Sequence, residues 1–108
     1  MSFSIVVTDF FEQELKSLAK RHRSLKNDLA ALIAQLEENP FTGTEIGNHC
    51  RKIRLAITSK GKGKSGGARV ITHVQVRGST VYLISIYDKS DMENIDDSTL
   101  KKRLKNLL

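Results

Sequence analysis

Hydrophobic positions recur at a helical spacing in the first third of the chain and at a spacing of two in its middle, so helices should give way to a sheet. Phe3 to Val7 predicts a short strand. Asp9 followed by Glu12 has capping-box spacing, which starts a helix near Phe10 with Phe11, Leu15 and Leu18 on its apolar side. The polar run Lys20-Arg21-His22-Arg23 ends it, and His22 there is expected to be solvated. A second helix starts near Ser24, with Leu25, Leu29, Leu32, Ile33 and Leu36 as a single stripe, and Asn39-Pro40 terminates it. The two helices are expected to form an antiparallel hairpin, each burying one face.

Residues 41–49 carry Gly43 and Gly47 and predict a connecting loop. From Cys50 onward Ile53, Leu55 and Ile57 alternate with Lys52, Arg54 and Ala56, the mark of a strand with two unlike faces. A further strand is predicted from Ala68 to Val76, a turn at 77–80, and a return strand from Val81 to Tyr87. So short a turn requires antiparallel pairing. The return strand is apolar almost throughout, which predicts a central strand covered on both faces. The polar, acidic stretch 88–97 leads into a final helix with Leu100, Leu104, Leu107 and Leu108 on one side. The expected order is β-α-α-β-β-β-α, an α+β fold, with no internal linker to divide residues 1–108 into more than one domain.

Charge changes the picture. Of 18 Lys and Arg residues, eight (Arg51, Lys52, Arg54, Lys60, Lys62, Lys64, Arg69 and Arg77) fall between Ile46 and Tyr87, a segment without a single Asp or Glu. The formal charge of +6 is therefore +8 from this segment and −2 from the rest. Self-repulsion on that scale costs stability, and a polyanionic partner, above all nucleic acid, is the usual reason for it. No apolar run approaches the roughly 20 residues of a membrane span. The N-terminus lacks signal-peptide features, and the lone Cys50 suits a reducing compartment, so a cytoplasmic location is expected. Cys50 is expected to be a small semi-buried residue at the start of a strand rather than a nucleophile.

Within the basic segment, Gly61, Gly63 and Gly66 satisfy GxGxxG, yet strand residues follow where a dinucleotide site needs a helix. Gly63-Lys64-Ser65 resembles the end of a phosphate-binding loop, but Thr58 occupies the position of its first glycine. What remains is a flexible loop with Lys60, Lys62 and Lys64, either a solvated hairpin loop or a contact for phosphates. Lys52 and Arg54, two apart on one strand face, carry more weight. Pairing with the next strand would bring Arg69 beside them, and three converging cations call for an anion between them. His73, on the same alternation face as Arg69, could line that concavity or be buried structurally; Tyr87 is a packing residue by composition. No zinc spacing and no carboxylate pair for glycoside chemistry is present, so no metal, cofactor or small-molecule ligand is expected.

The run Arg51-Lys52-Ile53-Arg54-Leu55-Ala56, the loop KGKGKSGGAR ending at Arg69, and the segment Tyr82-Leu83-Ile84-Ser85-Ile86-Tyr87-Asp88-Lys89-Ser90 together resemble toxins of the RelE/ParE superfamily, nearest to the HigB-like branch of type II toxin–antitoxin modules. The resemblance implies an antiparallel sheet packed against the helical hairpin. It implies a metal-independent endoribonuclease (mRNA interferase) that enters the ribosomal A site, cuts mRNA and inhibits translation. By motif position Lys52, Arg54, Arg69 and Lys89 become catalytic candidates, and Arg51, Lys60, Lys62 and Lys64 RNA contacts. Ile95 stands where some members carry a tyrosine, so the resemblance leaves three readings: Tyr87 or His73 substitutes, another acid–base group serves as in other HigB-like members, or activity is reduced. The implied partner is a cognate antitoxin with an acidic surface or helix. The same superfamily offers a ParE-like, non-enzymatic inhibition of DNA gyrase, and an inactive RNA-binding member, as alternatives. As a lone exposed cation, Arg69 is expected to be replaceable without cost to the fold.

Overall fold

A computed structural model describes residues 2–107. The elements run β1 (Ser4–Val7), α1 (Asp9–Arg21), α2 (Leu25–Glu38), β2 (Thr44–Gly47), β3 (Cys50–Leu55), β4 (Ala68–Gln75), β5 (Thr80–Asp88) and α3 (Asp97–Lys105), with a short 3-10 turn at Thr58–Lys60. This is the α+β order expected, with an additional edge strand. The five strands form one mixed sheet in the order β1-β5-β4-β3-β2. Strands β3 to β5 are antiparallel, as expected, β2 adds an antiparallel pairing where a loop was expected, and β1 lies parallel to β5.

Side chains satisfy free N–H groups at the start of α1 and α3, whereas the Ser24 side chain makes no such bond at the start of α2. Thr8, not Asp9, caps α1, and its hydroxyl also donates to the Leu83 carbonyl at 2.7 Å, tying the helix to the sheet. Asp9 is the first helical residue, where a negative charge suits the helix dipole. Asp96 caps α3 by accepting from the Thr99 N–H.

The sheet is covered on both faces. On one, Phe11, Leu18, Leu25, Leu29, Leu32 and Leu36 of the hairpin pack on Ile53, Val70, Leu83 and Ile86. On the other, Leu100 of α3 packs with Cys50, Ile71, Ile84 and Tyr87. Coverage from both sides explains the unbroken apolar run in β5, whose Val81, Leu83 and Ile84 are fully buried. One extra residue enters β5 opposite the step from Ile71 to Thr72, because Ile71 pairs with Ser85 and Thr72 with Leu83. That bulge lets Ile84 and Tyr87 both face α3 despite their odd separation.

Strand β2 escaped the sequence reading for a physical reason. All four of its residues are exposed, so no apolar alternation marks it. Its hairpin turn uses Asn48 and His49, both at positive φ (54° and 60°), in place of a glycine-containing pair. Gly67 is the glycine that packing requires. A Cβ there would lie 2.2 Å from the Leu55 carbonyl oxygen, so only a bare backbone lets the loop 61–67 close onto β3.

Candidate nucleic-acid site

Register brings the candidate cations together. Along β3, Lys52 and Arg54 point to the α3 side of the sheet, and Arg54 sits directly opposite Arg69 of β4. Arg69 in turn pairs with Tyr87 of β5. Lys89 follows β5, held by its backbone N–H on the Gly67 carbonyl at 3.1 Å. Lys52, Arg54, Arg69 and Lys89 line one hollow of about 240 Å3, completed by Thr44, Glu93 and Asn94. Asn94 accepts from the Lys52 ammonium at 2.6 Å, which draws the 89–96 loop over the hollow's edge.

The electrostatics of the hollow are unusual at Arg69. It is 4% exposed, and its guanidinium donates to the carbonyls of Lys64 and Ala68 at 3.0 Å and of Ser65 at 3.4 Å. No described carboxylate makes an ion pair with it, and a second arginine stands across the ladder. Like charges at directly opposed positions repel, so the bare hollow stores unfavourable energy that a bound anion would release. The expectation that Arg69 is an exposed, dispensable cation is therefore corrected. Arg69→Ala strips two loop carbonyls and that of Ala68 of their donor and should cost about 1 to 3 kcal/mol, read as a lower Tm in thermal unfolding; Arg69→Lys should restore part of the loss.

The remaining sequence candidates divide. Lys62 is exposed in the loop, and Lys64 shares a neighbouring hollow with Arg54. Arg51 faces away from Lys52. Its guanidinium donates to the Gly43 carbonyl at 3.1 Å, lies 3.6 Å from Glu45 and covers the Phe41 ring. Lys60 is turned inward, its ammonium 2.8 Å from Asp88. Arg51 and Lys60 thus serve the fold where RNA contact was expected.

His73 lies outside the hollow, grouped with Cys50 at 3.6 Å and with the rings of His49 and Tyr82. Burial lowers its pKa, the Asn48 backbone partly opposes this, and nearby His49 lowers it further. Burial pushes the Cys50 thiol up to about 11, which leaves it without nucleophilic character near neutral pH. Tyr87 is buried on the α3 side. Its hydroxyl has no hydrogen-bond partner among the described residues. Burial raises its pKa, while the nearby Ile95 backbone and the Arg69 charge pull the other way. Ile95 packs into the same apolar cluster, so the position carries no titratable group.

The residue that sequence reasoning missed is Asp88. Its side chain is 1% exposed and accepts from Lys60 at 2.8 Å, His22 at 2.9 Å, Arg21 at 3.4 Å, and the Ser90 backbone and hydroxyl at 2.9 and 2.7 Å. Burial alone would raise its pKa, but the hydrogen bonds from Lys60, Ser90 and His22 outweigh it and hold the carboxyl well below the usual range. His22, expected in solvent, is one of its partners. Asp88 ties the end of α1, the 58–60 turn and the start of the 89–96 loop together immediately beside Lys89. Sequence offered one hint, an acidic residue closing an apolar strand, but its partners come from 28 and 66 positions away.

A sheet hollow lined by four cations beside a helical hairpin defines a small α+β protein with a concentrated basic site. The RelE toxin family of RelE/RelB toxin–antitoxin systems matches residues 8–107, and the chain belongs to that family. The fold agrees. A free-state double mutant of the E. coli toxin RelE superposes with a TM-score of 0.65 at 19% identity, over 100% of both chains. The toxin–antitoxin complex RelBE2 from Mycobacterium tuberculosis gives 0.62 at 14% identity, covering 82% of this chain and 99% of that one. A metal-bound toxin from Helicobacter pylori gives 0.53 at 16% identity, over 83% and 98%.

Proposed function

We propose that this toxin is a ribosome-dependent, metal-independent endoribonuclease that cuts mRNA and so arrests translation. The observation that carries the reading is the hollow itself, where four cations converge and the most buried of them, Arg69, makes no ion pair with a described carboxylate. A scissile phosphodiester placed there supplies the missing negative charge. The ribose 2′-oxygen attacks phosphorus, the bond from phosphorus to the 5′-oxygen breaks, and the 2′-hydroxyl proton is removed as the leaving oxygen gains one. Arg54, Arg69 and Lys89 stabilise the extra charge of the phosphorane-like transition state. Of the four cations only Lys52 and Lys89 suit proton transfer, because a guanidinium stays protonated, and Lys52 is assigned it as the ammonium carried on the rigid strand beside Arg54. Neither Tyr87 nor His73 lines the hollow, so the acid–base work rests on Lys52 and on groups supplied by the ribosome.

The partner in this reading is a cognate antitoxin whose acidic surface or helix covers the hollow. The lysine–glycine loop supports a place in the HigB-like branch. The test is induction of the toxin in bacteria, followed by primer extension on a translated message. Codon-phased 5′ ends are expected, with naked RNA left mostly intact by the purified protein and gyrase supercoiling unaffected. Intact messages during growth arrest would overturn the proposal.

A further inference from the structure

A second cationic surface lies on the helical hairpin, outside the hollow. Residues 16–27 contain Lys16, Lys20, Arg21, Arg23 and Lys26 and no Asp or Glu, a concentration that the nearly balanced charge of the chain outside 46–87 conceals. Arg21 is bound to Asp88 and Asp91. The other four are exposed, and none makes an ion pair with a described residue. Together with Ala19 they line a groove of about 440 Å3 across the end of α1 and the start of α2, with no carboxylate in its wall. Lys16 and Lys20 stand one helical turn, about 6 Å, apart.

The groove is joined to the proposed active hollow. Ser24, between the two helices, accepts from the Ser59 N–H at 2.8 Å, and Asp28 accepts from Thr58 at 2.9 Å. His22 and Lys60 both bind Asp88, next to Lys89. The basic groove, the lysine loop and the hollow therefore sit at one end of the molecule.

We propose that this groove grips the phosphate backbone of a folded RNA, a segment distinct from the strand cut in the hollow. The inference rests on the RNA-directed reading above and adds a second contact to it. Chemistry selects this occupant. A membrane-binding helix needs apolar side chains to insert, and a protein interface needs an apolar centre. The exposed large hydrophobics, Val6, Val7, Phe41, Ile46, Val76 and Met92, all lie outside residues 16–27. Spaced cations without an apolar anchor match a backbone of phosphates.

The test uses the full chain with Lys16→Gln, Lys20→Gln, Arg23→Gln and Lys26→Gln combined, and a fluorescein-labelled RNA stem–loop read by anisotropy across a salt series. The combined variant should bind at least tenfold more weakly at physiological ionic strength. The slope of log affinity against log salt should become shallower by about 3, the value for four lost phosphate contacts. A Lys52→Ala, Arg54→Ala variant should lose message cleavage while keeping most stem–loop binding. Failure of the unmutated toxin to cleave message, with its stem–loop binding intact, would therefore refute the nuclease reading without touching this one. Unchanged affinity and slope in the combined variant overturn the proposal. So does unchanged stem–loop binding together with lost binding to phosphatidylserine-containing vesicles or to an acidic peptide. Should the combined variant unfold, the single substitutions replace it, each expected to remove about 0.7 to 0.9 of the slope; four unchanged slopes then overturn the idea.

Discussion

Lys52→Ala combined with Arg54→Ala should abolish growth arrest and remove the codon-phased 5′ ends, while leaving the protein folded. The two side chains extend from one face of β3 into the hollow, and only their tips are engaged there. Arg54 is exposed, and Lys52 has a single partner, Asn94. Losing one donor aimed at developing charge typically costs on the order of 100- to 1000-fold in rate. Losing the proton-transfer group adds to that, so the double variant should fall below detection in primer extension. Its Tm should stay within a few degrees of the parent, or rise, because Arg54 no longer faces Arg69 across the ladder. Full toxicity in this variant would remove the hollow as the seat of activity.

Asp88→Ala is expected to be the most damaging single substitution for the fold. It leaves the Lys60 ammonium and the Arg21 and His22 side chains without their common partner, in a place where Asp88 itself is 1% exposed. Removing one member of a buried ion pair costs about 3 to 5 kcal/mol. For a chain of this size that lowers Tm by more than about 10 °C. Asp88→Asn, which keeps an acceptor but not the charge, should fall between. The pH dependence has a definite sign. The folded carboxyl titrates below its unfolded value of about 3.9, so its contribution is complete above that pH and disappears as pH falls towards the folded value. Wild-type stability should therefore drop between about pH 4 and the acid limit by more than that of Asp88→Asn. Equal acid sensitivity of the two proteins would show that the Asp88 cluster does not set it.

The two substitutions probe different layers of the same arrangement. The β3 cations line the hollow in which the proposed chemistry takes place, whereas Asp88 fixes the segments that carry Lys89 and the lysine loop. An Asp88 variant that stays folded at low temperature yet loses toxicity would separate positioning from stability, and Lys60→Arg, which retains the bond to Asp88, should keep both.

Helices and strands that bury a continuous stripe could be read from local spacing alone. The Leu25–Leu29–Leu32–Leu36 stripe, the alternation in β3 and the doubly covered β5 each declare their environment within a few residues. The clustering of Lys52 and Arg54 was equally legible, since two residues two apart on a strand must share a face. Local pattern carried no information where a residue's environment comes from distant chain. The parallel pairing of β1 with β5 falls in that group, while exposed β2 and the burial of Arg69 under its own loop rest on nearby backbone partners that no apolar pattern marks. Arg51 and Lys60 share the charge of their neighbours and are therefore alike in sequence, yet one covers Phe41 and the other closes on Asp88. Periodicity and charge density mark most segments that become helix or strand and where the cations concentrate, because both are properties of neighbours in the chain. Which cations stay available and which are consumed by the fold is decided by packing: Lys60 and Arg21 close on Asp88, 28 and 67 residues away, and Arg51 folds back across the β2–β3 hairpin onto the Gly43 carbonyl.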